Sequence, residues 1–96
     1  MQEKDTYYVL WKAFNECKKI EDLSDICMDL MKVITILQAN NISVDDKMND
    51  SLNMIAKYID SFNNTTLKKD KTNYKLNIKR EMLKLDSYLN KKGLKI

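Results

Sequence analysis

The sequence predicts an all-α fold, an antiparallel four-helix bundle. Three observations carry this. The 96 residues contain no proline and a single glycine, Gly93 near the end, so the interior holds almost none of the residues that break helices. Apolar residues recur at three- and four-residue steps in four separate stretches. Nowhere do they alternate with polar ones over the length a half-buried strand requires. Short polar stretches separate the four segments, as in a bundle of sequential helices. At this length, with 44% apolar residues, one modest core can form and two cannot. The chain therefore reads as a single domain over residues 1–96, with a basic C-terminal helix and tail from about residue 67.

The first helix is expected over about residues 6–19. Tyr7, Leu10, Trp11, Phe14 and Cys17 fall on one helical stripe, and Trp11, the largest side chain, is expected in the core. Asp5 or Thr6 is placed to accept the first free N–H groups, and Lys18 and Lys19 favour the C-terminal end of the dipole. Ile20, Glu21 and Asp22 form the connection. The second helix then runs to about residue 38 through Leu23, Ile26, Cys27, Leu30, Met31, Ile34 and Leu37. Val33 and Ile36 widen its stripe, which predicts a helix covered on two sides. Asp22 is its expected cap, and Asp25 and Asp29 put negative charge in its first turns.

Ala39, Asn40, Asn41 and Ile42 read as a turn. Ser43 followed by Asp46 resembles a capping box, with Ile42 placed to staple onto Lys47 or Met48. The third helix continues through Met48, Leu52, Ile55, Tyr58 or Ile59, and Phe62. Asn63, Asn64, Thr65 and Thr66 are the clearest break in the chain, four polar residues of poor helix propensity. Residues 67–71 fit either a loop or the first turns of helix four. Tyr74, Ile78, Met82, Leu85 and Leu89 then form a core-facing stripe, with Leu76, Leu83 and Leu94 off it. Gly93 is a left-handed cap after Lys91 and Lys92.

The composition argues against an enzyme. There is no histidine, and one glycine cannot build a loop that cradles a phosphate. Cys17 and Cys27 lack the CxxC spacing and read as two reduced, buried thiols. Asp22, Asp25 and Asp29 share a helix face, which reads as a solvated acidic face because no loop supplies further oxygens to a cation. Asp45 and Asp46 splay around a helix start. No cofactor and no metal are expected. No apolar run approaches the eighteen or so residues that span a bilayer, and Met1, Gln2, Glu3, Lys4 and Asp5 lack the hydrophobic core of a signal peptide. A cytoplasmic location is expected, with a peripheral position at the inner membrane face as the alternative.

The charge is unevenly distributed. Residues 1–48 hold six Lys/Arg and nine Asp/Glu, a net of −3, whereas residues 67–96 hold ten Lys/Arg and three Asp/Glu, a net of +7. Such asymmetry points to an anionic partner or surface, or to a helix solvated by lysine. The candidate partner-binding residues are Lys68, Lys71, Lys75, Lys79, Arg80, Lys84, Lys91 and Lys92. Lys68, Lys71, Lys75 and Lys79, with Arg80 or Lys84, make a ridge of i, i+3 and i+4 neighbours. It suits nucleic-acid phosphates, anionic lipid headgroups or an acidic protein patch. A single arginine among nine lysines argues against base-specific readout. Leu76 and Leu83, seven apart and off the core stripe, offer a face for a homo-oligomer.

These features together resemble the class IIa bacteriocin immunity proteins, the enterocin A immunity family. The length, the four amphipathic helices and the basic balance are similar. Ser24, Asp25 and Ile26 open helix two as a similar tripeptide does there, and residues 52–58 and 85–89 follow similar spacing. The resemblance covers residues 7–96. The family often carries a longer, aromatic-containing tail than Leu94, Lys95 and Ile96 provide. The resemblance implies producer self-protection from the cytosol. The protein partner would be a membrane-embedded sugar-transport receptor with bound bacteriocin, engaged without chemistry, and the C-terminal half would set specificity. The alternative is a small phage, plasmid or viral accessory protein that binds nucleic acid or a replication or regulatory protein through its basic helix.

Overall fold

A computed structural model describes the backbone of residues 3–94 and the side chains of residues 7–94. The described residues form four α-helices: α1 (Glu3–Lys18), α2 (Ser24–Ala39), α3 (Asp46–Asn64) and α4 (Lys68–Lys91). A 3-10 turn, Glu21–Leu23, leads into α2. No strand occurs among the described residues. The expected all-α bundle is what forms.

The helices pair as two hairpins laid side by side. α1 packs on α2 and α3, and α4 packs on α3 and α2. In the first hairpin, the Tyr7 hydroxyl near the start of α1 donates to the Ile42 carbonyl beyond the end of α2, at 2.6 Å. At the other end, the Cys17 thiol donates to the Leu23 carbonyl at 3.3 Å. The second hairpin is likewise antiparallel. Tyr58 lies against Tyr74 at one end, with ring centroids 6.4 Å apart, and Asp45 meets Lys92 at the other. Between the hairpins, the first turn of α2 lies beside the first half of α4, where Asp25 meets Lys75 and Lys79.

Each helix gives one face to a continuous core. Leu10, Phe14 and Cys17 enter from α1, and Ile26, Leu30, Ile34 and Leu37 from α2. Met48, Leu52, Ile55, Ile59 and Phe62 come from α3, and Ile78, Met82, Leu85 and Leu89 from α4. Full burial of such a side chain stabilises by about 1.5–3 kcal/mol. Between the alternatives at Tyr58 and Ile59, Ile59 is buried and Tyr58 sits at the rim.

Several local expectations are corrected. α1 spans Glu3–Lys18, so the backbones of Asp5 and Thr6 are already helical; their side chains lie outside the described residues. Trp11 is half-buried at the rim, edge-on to Phe14 with centroids 5.8 Å apart. Its place in the core goes to Ala13, because α1 turns Val9 and Ala13 toward Ala56 and Ile59 of α3 and so rotates Trp11 to a flank. Asp22 does not cap α2, whose N-cap is Leu23 with no side-chain hydrogen bond; in the 3-10 turn the Leu23 and Ser24 amides bond the Ile20 and Glu21 carbonyls instead. Met31 is exposed and Cys27 half-buried, leaving Val33 to fill the stripe of α2. Asp45, and not Ser43, caps α3, accepting from the Met48 N–H at 2.9 Å. The break between α3 and α4 is shorter than expected: α3 keeps Asn63 and Asn64, and residues 65–67 connect to α4.

Two helix ends close alike. At the end of α2, the Ile42 N–H bonds the Leu37 carbonyl and the Asn41 N–H bonds that of Gln38, with Asn41 at φ +53°. At the end of α4, the Leu94 N–H bonds Leu89 and the Gly93 N–H bonds Asn90, with Gly93 at φ +80°. These are Schellman closures, in which a left-handed residue turns free amides back onto the last carbonyls. Leu94, off the α4 stripe, thereby folds back against the core.

Candidate functional site

The structure divides the cationic ridge into an inward group and an outward group. Lys75 and Lys79 face α2. The Lys79 ammonium lies 3.3 Å from Asp25 Oδ2, and that of Lys75 lies 3.7 Å from Asp25 Oδ1. Lys75 Nζ also donates to the Asp22 carbonyl at 2.7 Å, pinning the 3-10 turn to α4. Burial alone would push the Asp25 carboxyl upward. The Lys79 hydrogen bond, the Ile26 amide and the charges of Lys75 and Lys79 outweigh it and hold the group below the usual carboxylate range. These two lysines therefore share one counter-charge within the molecule.

Lys71 is half-buried, with its ammonium 5.3 Å from the centroid of the Phe62 ring. Lys92 sits 3.6 Å from Asp45 Oδ2, the carboxylate that caps α3 through its other oxygen. Lys84 pairs at 3.1 Å with Glu81, a buried carboxylate. Among the described residues, Lys68, Arg80 and Lys91 enter no ion pair, and neither does Lys69.

The outward group has a simple charge pattern. Besides Lys79, which is exposed but paired with Asp25, the exposed charged residues of α4 are Lys68, Lys69, Arg80, Lys84 and Lys91, all cations. Its three acids, Asp70, Glu81 and Asp86, are half-buried or buried. Between the cations stand Leu76 and Leu83, exposed at 55% and 69%. They lie two turns apart on the same side of the helix, with Arg80 one turn from each. The face thus presents two leucines around an unpaired guanidinium, with no exposed carboxylate on its own helix.

Grooves run between the two hairpins. One, of about 510 Å³, runs between α2 and α4 and is lined by Asp25, Asp29, Lys79, Met82, Leu83 and Asp86. Another, of about 470 Å³, lies between α1 and α3, with Tyr8, Lys12, Glu16 and Asp60 among its walls. Cys17 is buried, and burial, followed by the nearby Cys27 and Asp25, pushes its thiol up to about 12 despite the opposing charge of Lys75. Cys27 is raised by burial and partly relieved by Lys18. Both thiols are free.

Compared with protein-family models, with curated proteins and with solved structures, the chain matches none. The surface is therefore read from its own chemistry. No helix among the described residues is long and apolar enough to cross a membrane.

Sequence reasoning missed the role of Asp25, which it grouped with a solvated acidic face. A signal was present: an acidic start to α2 and a basic α4 are complementary. Periodicity within each helix does not say that these two meet.

Proposed function

We propose that this chain is a non-enzymatic binding protein of the bacteriocin-immunity type. In this reading it protects the producing cell from the cytoplasmic side, engaging a membrane-embedded sugar-transport receptor to which bacteriocin is bound. The outward face of α4 is the binding surface. The observation that carries the reading is the arrangement of Leu76, Arg80 and Leu83, exposed together on a helix whose own acids are half-buried or buried. A guanidinium that loses water on docking is a recurring component of protein-binding hot spots, and the exposed Leu76 and Leu83 add apolar area around it. The all-α bundle and the basic C-terminal helix support the same reading.

The nucleic-acid alternative draws less support from the geometry. Lys75 and Lys79 share Asp25, and Lys92 pairs with Asp45, which breaks up the ridge that would follow phosphates. Two exposed leucines gain nothing against a phosphate backbone. A homo-oligomer through the same face brings cations against cations, with no carboxylate of α4 exposed to offset them.

Expression of the chain in a strain sensitive to class IIa bacteriocins tests the reading. The expected result is growth in the presence of a bacteriocin that kills the empty-vector control. Killing by every such peptide at the control concentration, with the protein folded and abundant, would overturn it.

A further inference from the structure

We propose that the outward face of α4 docks on an anionic lipid bilayer, with Leu76 and Leu83 entering the headgroup boundary and the cations lying among the headgroups. This rests on the reading that the same face is the binding surface, and names the bilayer as part of what that face meets.

The geometry favours an extended, planar anion. α4 has 24 residues and is about 36 Å long. Its exposed cations run from Lys68 and Lys69 at one end, through Arg80 and Lys84, to Lys91 at the other. A compact anionic ligand or a short acidic peptide would meet only part of this line. Leu76 and Leu83 lie about 10 Å apart along the axis, and the helical repeat returns them to nearly the same angular position. Arg80 between them and Lys84 beside them have stems long enough to reach headgroups while the leucines insert. This is the arrangement of an interfacial helix, apolar residues flanked by cations. The rest of α4 is anchored in the bundle by Ile78, Met82, Leu85 and Leu89, so the face is presented ready-formed. The leucines alone are too few for stable insertion. Attachment therefore depends on the charges, and binding must be specific for anionic surfaces and reversed by salt.

The test is co-sedimentation of the full chain with protein-free vesicles. One set is phosphatidylcholine alone and the other is phosphatidylcholine and phosphatidylglycerol in equal parts. Three variants are compared with the wild type, each checked for folding by circular dichroism: K69Q/R80Q/K91Q, L76Q/L83Q, and K12Q/K32Q/K57Q, which removes the same charge from other helices. The wild type is expected to bind only the anionic vesicles and to be released by added salt. Each cation at the surface is worth about fivefold, so K69Q/R80Q/K91Q should weaken binding about a hundredfold. The control triple should change it by far less. L76Q/L83Q should leave a weaker attachment that salt removes completely.

Equal binding to both vesicle types, no binding to either, or equal loss in the two triple variants would overturn the inference. The protection assay separates the two readings. Protection without vesicle binding removes the lipid inference and leaves the immunity reading. Vesicle binding through α4 without protection does the reverse.

Discussion

Replacing Asp25 with Asn tests the junction between the two hairpins. The substitution keeps the shape of the side chain and removes its charge. Lys75 and Lys79 lose their shared counter-ion and, one turn apart, repel each other. The side chains of Asp25, Lys79 and Lys75 are 51%, 50% and 32% exposed, so solvent screens both pairs. Each such pair contributes about 0.2–1 kcal/mol, and the expected loss is about 1 kcal/mol in all. For a domain of this size that lowers Tm by about 4–8 °C.

The pH dependence has a definite sign. The native carboxyl titrates below its unfolded value, so its contribution is complete above the ordinary carboxylate range and is lost as the pH falls through the native value. Urea unfolding followed by circular dichroism should show D25N less stable than wild type at neutral pH and low salt. The two should converge in acid, and added salt should shrink the difference. Equal stability at neutral pH and low salt would refute the clamp. The same variant leaves two lysines unneutralised, so binding to an anionic surface should rise by about fivefold for the one charge gained.

Leu30→Ala, at a fully buried position on α2, should cost about 2–5 kcal/mol in the same unfolding measurement, whereas Leu83→Ala should stay within about 0.5 kcal/mol. A thiol reagent at mildly alkaline pH should label Cys27 in the folded protein and Cys17 only on unfolding, since Cys17 is fully buried with its thiol raised to about 12; equal folded-state rates would contradict this. Gly93→Ala meets no atom within 4 Å of the added Cβ. Its cost is then the left-handed backbone alone, about 1–2 kcal/mol, and Gly93→Asn should recover part of it in thermal melts.

The core was legible in the sequence because burial follows helical periodicity. Leu10, Phe14 and Cys17 on α1, and Ile78, Met82, Leu85 and Leu89 on α4, are buried where the apolar stripes place them. The Gly93 closure was legible too, because few residues adopt positive φ without strain. Trp11 was not, since its position depends on which neighbours flank α1. The presence of α3 beside Ala13 turns the face by a fraction of a turn. The caps of α2 and α3 were misplaced by one or two residues because Asp22, Ser43 and Asp45 have similar capping ability in isolation, and the surrounding chain path selects among them. The cationic character of α4 was legible from composition. Its division was not. Lys75 and Lys79 resemble Arg80 in sequence, and only the approach of Asp25 separates paired cations from available ones.

The central claim is that the outward face of α4 is the binding surface. The most direct measurement is protection of a bacteriocin-sensitive strain by L76Q/R80Q/L83Q, set beside wild type and K12Q/K32Q/K57Q at matched expression. These outward side chains leave the core untouched, so the melting curve of the α4 variant should stay close to that of wild type. The account predicts that wild type and the control triple protect and that the α4 variant does not. Full protection by a folded L76Q/R80Q/L83Q would contradict it.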